Sequence, residues 1–361
     1  MDKLTEIPFL FIVGRPRSGT TLLRTLFDAH TNVVIPPECQ FVVNLYGKYG
    51  KKTFWSKTDL EHFYQELQTQ WRFELWKLDN DLLMKRLLTQ EGQNSYGNIC
   101  KTVYGTYASV FPKQEVLLFG DKNPGYTIYT KRLLKIFPNA KFIHITRDYR
   151  DNFVSIKNVD FELPLPALAG QKWVYFYKKI HHDAQENPEA YFHIRYEDLV
   201  SNPESNMKAM CSFAGIEYQP GILNFHEKKD DVMKLYSPVI LQKYQASLLK
   251  KINTNRIGLW KKELTEKEIR LLDYTVGAYA EKSGYQKINH HFSPVIALQA
   301  LPGRAIAALL YVATQTADKL PASLRMTILS KGPRLLGNTF LRIFNPKKLK
   351  EMNTLLEQEE K

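Results

Sequence analysis

Short apolar runs alternate with helix-spaced stretches along most of this 361-residue chain. The runs fall at 9–13, 33–35, 116–119, 140–146 and 191–194, and each is closed by Gly, Pro or a charged residue. Apolar runs this short, bounded by such residues, read as buried strands. Between them, 22–30, 166–185 and 266–279 carry apolar residues three and four apart, the spacing of one helix face. Strands alternating with helices predict an α/β fold, a central parallel sheet flanked by helices. Two regions depart from the alternation. Residues 40–112 read as an irregular helical insertion rich in aromatics (Phe54, Trp55, Phe63, Tyr64, Trp71, Phe73, Trp76), most of which suit helix-packing core. Residues 290–361 read as a helical basic extension, so the expected division is a domain over 1–289 and an appendage over 290–361.

The first run leads into Gly14-Arg15-Pro16-Arg17-Ser18-Gly19-Thr20-Thr21 and then a helix. A strand, a tight glycine loop and a helix start form an anion cradle, because unpaired backbone N–H groups and the positive end of the helix dipole converge there. A nucleotide triphosphatase loop requires G-x-x-x-x-G-K-[ST]. Here Thr20 stands where the Lys should be, and the positive charge sits on Arg15 and Arg17. The loop therefore predicts phosphate binding and disfavours Mg²⁺-dependent ATP hydrolysis. Planar guanidiniums beside Ser18, Thr20 and Thr21 suit an anion held by many donors.

Further on, the 140–146 run enters Arg147-Asp148, with Ser155 two turns into the next helix. Arg147 and Ser155 can meet on a second anion, with Asp148 as the helix cap. Two anion sites on two strand-to-helix turns predict a nucleotide with phosphates at both ends.

Together, Pro-Arg-Ser-Gly-Thr-Thr-Leu-Leu after a strand and Arg-Asp followed by Ser resemble the PAPS-dependent sulfotransferases, which use 3′-phosphoadenosine 5′-phosphosulfate. The resemblance covers about 8–285. It implies a P-loop-like nucleotide-binding fold and the transfer of a sulfuryl group to an acceptor hydroxyl. Arg15, Arg17, Ser18, Gly19, Thr20 and Thr21 would hold the 5′ end. Arg147, Ser155 and, from a covering loop, Arg256 would hold the 3′ end. Tyr196, in Arg-Tyr-Glu-Asp-Leu, would pack at the adenine side. Glu38 follows Pro36-Pro37 at the end of the second strand, where it could be a general base or a helix cap. The resemblance makes it the base, as in the tyrosylprotein branch, although Gln40 stands where that branch keeps an Arg. This departure argues against a tyrosine-peptide acceptor and for a bacterial-type small-molecule or lipid sulfotransferase. Lys122, just past the 116–119 run, would join Arg17 in stabilising the sulfuryl group. No metal is needed, because these cations already supply the charge.

The formal charge of +13 favours anionic partners, while the absence of zinc-finger or RNA-binding signatures argues against nucleic acid. Cys39, Cys100 and Cys211 are odd in number and widely spaced, as in a protein of a reducing compartment. No signal peptide and no apolar stretch of membrane-span length stand out, so a cytoplasmic protein is expected. In the extension, apolar 305–312 follows Pro302-Gly303-Arg304, and Lys331, Arg334, Arg342, Lys347, Lys348 and Lys350 come after it. That pattern suits either peripheral contact with anionic lipid or packing on the core or a second subunit. The acceptor class is a lipid, sterol, glycan or other small alcohol. Rival readings are an ATP-using P-loop kinase and a non-catalytic nucleotide- or membrane-binding protein, in which Glu38 would be idle.

Overall fold

The computed structural model describes residues 3–159, 161–228 and 250–317, with a few isolated positions beyond. They group into two compact units. The first comprises 1–145 and 179–253, and the second 146–178 and 254–361. The junction expected near 289 falls inside the second.

The first unit is built on a five-stranded sheet. Its strands are β1 (Phe9–Val13), β2 (Val33–Val34), β5 (Leu118–Lys122), β6 (Lys141–Thr146) and β7 (Tyr191–Arg195), in the order β2-β5-β1-β6-β7. The β1–β5, β1–β6 and β2–β5 pairs are parallel, with Ile12 opposite both Lys122 and Ile143. All five β1 side chains are buried, as expected for a strand covered by helices on both faces. The chain leaves β1 toward β2 and β5 on one side and takes up β6 and β7 on the other. The carboxyl end of β1 is therefore a topological switch point, where open α/β sheets place their ligands.

Two elements differ from the sequence reading. β5 does not stop at Phe119 but continues through Gly120, Asp121 and Lys122. In the sequence Gly120 closes the apolar run. In the fold it is a packing residue, since a Cβ there would lie 2.6 Å from the Ile35 side chain. The insertion contains, besides helices, a small antiparallel ribbon of β3 (Phe54–Trp55) and β4 (Gly92–Gln93). Its aromatics divide as their surroundings dictate. Trp55, Phe63, Phe73 and Trp76 are buried, while Phe54 and Trp71 stay exposed.

In the second unit, helix Tyr149–Ile156 packs with helices Trp260–Glu263 and Glu266–Val276. The apolar 305–312 stretch lies inside a longer helix, Pro294–Ala317, with Pro302 within it. By length and composition this helix could cross a membrane, which corrects the expectation that no stretch reaches that size. The basic positions beyond 317 lie almost wholly outside the described residues.

Candidate active site

The loop after β1 is fixed by close packing. Gly14 has φ 148° and its N–H donates to Thr127 Oγ1 at 3.2 Å. A Cβ at Gly14 would overlap the Ile145 carbonyl. Gly19 has φ 94°, and a Cβ there would sit 2.5 Å from the Tyr196 ring. Both positions therefore require glycine on conformation and on space. Between them Arg17 also takes a left-handed φ of 70°, which a side chain adopts only at a cost of about 1–3 kcal/mol. Arg15, Ser18 and Thr20 are buried. Helix Thr20–Asp28 begins directly after Gly19 with no side chain capping it, so its first N–H groups face the loop.

Glu38 is positioned from three sides. Arg24, buried on the loop's own helix, donates through Nε and Nη2 to the Ile35 carbonyl at 2.9 and 2.6 Å. Asp28 accepts from the Ile35 N–H at 3.0 Å. Trp76 Nε1 donates to the Pro37 carbonyl at 2.8 Å, and Asn123 Nδ2 and the Tyr126 hydroxyl both donate to the Cys39 carbonyl at 3.3 Å. The backbone on each side of Glu38 is thereby held.

Its carboxylate is held as well. Lys122 Nζ donates to Glu38 Oε1 and, at 3.1 Å, to Thr21 Oγ1. Arg72 Nη1 donates to Glu38 Oε2 at 2.9 Å. Burial would raise the Glu38 pKa, but Lys122 and Arg72 outweigh it and hold the group below its usual range, as a carboxylate. Burial lowers the Lys122 pKa, with Glu38 opposing. Lys122 is thus the last residue of β5 rather than a loop residue, and it ties the candidate base to the anion loop. Beside it, burial pushes the Asp121 pKa up to about 7, against hydrogen bonds from Tyr104 and Asn123.

Arg72 had no signal in the sequence. It lies outside any motif, takes a left-handed φ of 66°, and stacks 4.2 Å from the ring of exposed Trp71. Only the folded insertion brings it to Glu38. Arg24, Asp28 and Thr127 were missed for the same reason. A cavity of about 410 Å³ lined by Leu4, Tyr104, Phe111 and Phe119 includes none of the candidate residues. Tyr196 is buried with its ring behind Gly19, so it backs the loop.

The second unit carries the residues of the other candidate anion element. Arg147 is buried, its Nη2 donates to the Arg256 carbonyl at 2.7 Å, and its own carbonyl accepts from Trp173 Nε1 at 3.0 Å. Asp148 caps its helix, accepting from the Arg150 N–H at 2.8 Å, and pairs with the Arg150 guanidinium. Asp151 accepts from the Gly258 and Trp260 N–H groups at 2.7 and 2.9 Å. Arg150 lies 3.9 Å from the Trp260 ring centroid. Helix Tyr149–Ile156, which carries Ser155, therefore gathers residues 256–260 onto itself. Asp151 carries no signal of its own in the sequence. An acid inside a helix is common, and only the contacts show its use.

A parallel sheet with a glycine-pinned loop and helix start after its central strand, and a basic-acidic pair at the strand ends beside it, defines a P-loop-like α/β protein. The chain belongs to the sulfotransferase family, whose model matches residues 8–220. It is 24% identical over 265 residues to a protein-tyrosine sulfotransferase of Drosophila melanogaster, covering 71% of this chain and 47% of that one. It is 26% identical over 263 residues to protein-tyrosine sulfotransferase 1 of Danio rerio, covering 71% of this chain and 66% of that one. With the omega-hydroxy-beta-dihydromenaquinone-9 sulfotransferase Stf3 of Mycobacterium tuberculosis it shares 24% over 249 residues, 58% of this chain and 63% of that one. The chain thus spans between about half and two thirds of these relatives. Its fold matches the sulfotransferase domain of the Synechococcus PCC 7002 olefin synthase, with a TM-score of 0.55 at 22% identity, over 77% of this chain and 95% of that one.

Proposed function

We propose that the protein transfers the sulfuryl group of 3′-phosphoadenosine 5′-phosphosulfate to the hydroxyl of a small-molecule or lipid acceptor. The observation that carries this reading is the Glu38 carboxylate held between Lys122 and Arg72, with Lys122 also bonded to Thr21 of the anion loop. The co-substrate supplies an activated sulfuryl group. Glu38 takes the proton of the acceptor hydroxyl as its oxygen forms the new S–O bond. Arg17 and Lys122 neutralise charge on the sulfuryl oxygens and on the bridging oxygen as its bond to sulfur breaks. Arg15, Ser18, Gly19, Thr20 and Thr21 hold the 5′-phosphate end, with Tyr196 backing the loop on the adenine side. Arg147, Ser155 and Arg256 hold the 3′-phosphate. The protein's own cations supply the charge, so the reaction needs no metal.

The acceptor reading follows from the surroundings of Glu38. Gln40 replaces an Arg expected for a tyrosine-peptide acceptor, and exposed Trp71 offers an apolar face next to Arg72. That favours an apolar alcohol, the class named for the mycobacterial relative. The test is thermal stabilisation by 3′-phosphoadenosine 5′-phosphate, compared with ATP and Mg²⁺. A ligand that binds only the native state raises its melting temperature by mass action. Stabilisation by the bisphosphate that is lost in Arg147→Ala supports the reading. Stabilisation by ATP with Mg²⁺ alone overturns it in favour of a kinase.

A further inference from the structure

We propose that the outer face of helix Pro294–Ala317 docks on an anionic lipid bilayer, lying in the membrane plane. The helix is about 36 Å long at 1.5 Å per residue. Its two faces differ sharply. Ile296, Ala300, Gly303 and Ala307 form a buried stripe. Gly303 leaves no room for a side chain, since a Cβ would lie 2.7 Å from the Leu168 nitrogen and 2.9 Å from Ala167 Cβ. Tyr311 stacks on Tyr175 with ring centroids 4.7 Å apart. The opposite face exposes Val295, Leu298, Leu301, Leu309 and Val312, each more than half accessible. Positions 295, 298, 302, 305, 309 and 312 recur every three or four residues, so this is one continuous apolar stripe.

The packed stripe decides between spanning and lying flat. Helix Pro294–Ala317 rests on helices that carry Lys172, Glu266, Glu268 and Arg270. Crossing a bilayer would drag these charges into hydrocarbon, at several kcal/mol each. Only the outward stripe can enter lipid. Arg304, the single charge in the helix, is drawn sideways: its Nε donates to Gln171 Oε1 at 3.2 Å, and its guanidinium lies 5.8 Å from the Tyr274 ring.

Charge selects the lipid. The chain carries a net +13, and residues 318–350 hold eight Lys and Arg against one acid, Asp318. An apolar stripe followed by basic sequence supplies the two signals that stable peripheral binding requires. A second copy of this chain would carry the same excess positive charge, and like charges oppose that pairing. The inference deepens the lipid-acceptor reading, because a bilayer-bound enzyme meets lipid-borne hydroxyls. Its test needs no turnover, so the two can fail separately.

The experiment is co-sedimentation of the full chain with phosphatidylcholine vesicles, with and without phosphatidylglycerol. Binding to the anionic vesicles, weakened by salt, is expected. The double variant Leu298→Glu, Leu309→Glu should bind about a hundredfold less tightly, roughly tenfold per leucine removed from lipid. Its melting temperature should be unchanged, because both side chains are exposed. Leu309→Trp should show fluorescence quenching by brominated lipid. Three outcomes would overturn the proposal: no binding to anionic vesicles, equal binding by the double variant, or a solution dimer that the double variant splits.

Discussion

The two candidate anion-binding elements are made in opposite ways. The loop at 14–21 is contiguous. Its shape comes from two glycines pressed against the Ile145 carbonyl and the Tyr196 ring, and its charge from Arg15 and Arg17 within the same eight residues. The element at Arg147 is distributed. Arg147 reaches the Arg256 carbonyl across 109 positions, and Asp151 reaches Gly258 and Trp260 across 107 and 109. A contiguous cradle carries most of its geometry in local sequence, and it fails when its backbone is forced. A distributed one depends on a few long-range hydrogen bonds, and it fails when one acceptor is removed.

Five perturbations break or sharpen this contrast. The largest effect is expected at Glu38, the proposed base, which Lys122 ties to the contiguous loop. Glu38→Gln should lose about 10²–10⁴ in kcat while binding 3′-phosphoadenosine 5′-phosphate as tightly as the wild type. Near-normal turnover would place the base elsewhere. Next, Gly14→Ala forces a Cβ onto the Ile145 carbonyl at a backbone φ of 148°. It should destabilise the protein by about 2–4 kcal/mol in denaturant titration. An unchanged midpoint would show that the loop is not pinned. In the distributed element, Asp151→Ala should release residues 256–260 and raise the Kd for the bisphosphate about tenfold, one lost pair of charge-assisted hydrogen bonds. With saturating donor its kcat should stay near wild type. A fall in kcat with unchanged affinity would contradict the holding role.

The smallest effect is a shift in pH dependence. Arg72 helps hold Glu38 below its ordinary pKa, and a carboxylate proposed as the base works only when ionised. In Arg72→Ala, burial acts with less opposition and the Glu38 pKa rises. The acid limb of the rate profile should then move to higher pH with its plateau largely kept. A limb that stays in place would remove Arg72 from the positioning of the base. Asp121 gives a companion slope in stability. Its native pKa of about 7 lies above the ordinary 3.8, so between these values the native state binds more protons than the unfolded chain. Its contribution is full below 3.8, falls as pH rises and is gone above about 7. Asp121→Asn should flatten that fall in a series of melting curves.

Much of this was legible in the sequence, for stated reasons. β1, β6 and β7 appear within a residue or so of their expected limits, because continuous apolar runs ending at Gly or Arg leave little alternative. The glycine loop was legible because glycine spacing and helix start lie side by side. The apolar run marks β5 only to Phe119, because the strand goes on through Gly120, which admits Ile35, and Asp121, which Tyr104 and Asn123 satisfy. The β3–β4 ribbon was missed because two-residue strands have no periodicity. Its pairing is set by distant contacts such as the Asn94 N–H to the Thr53 carbonyl at 2.9 Å.

The sequence by itself determined the fold class and the glycine-bound loop between strand and helix, since these follow from local conformation and hydrophobic periodicity. Only the tertiary structure decided what surrounds Glu38. Lys122 lies 84 positions away, Arg72 34, and the clamp on Ile35 comes from Arg24 and Asp28. The reason is physical: a carboxylate's protonation and aim are set by charges within a few ångströms, and the chain brings those charges together only by folding.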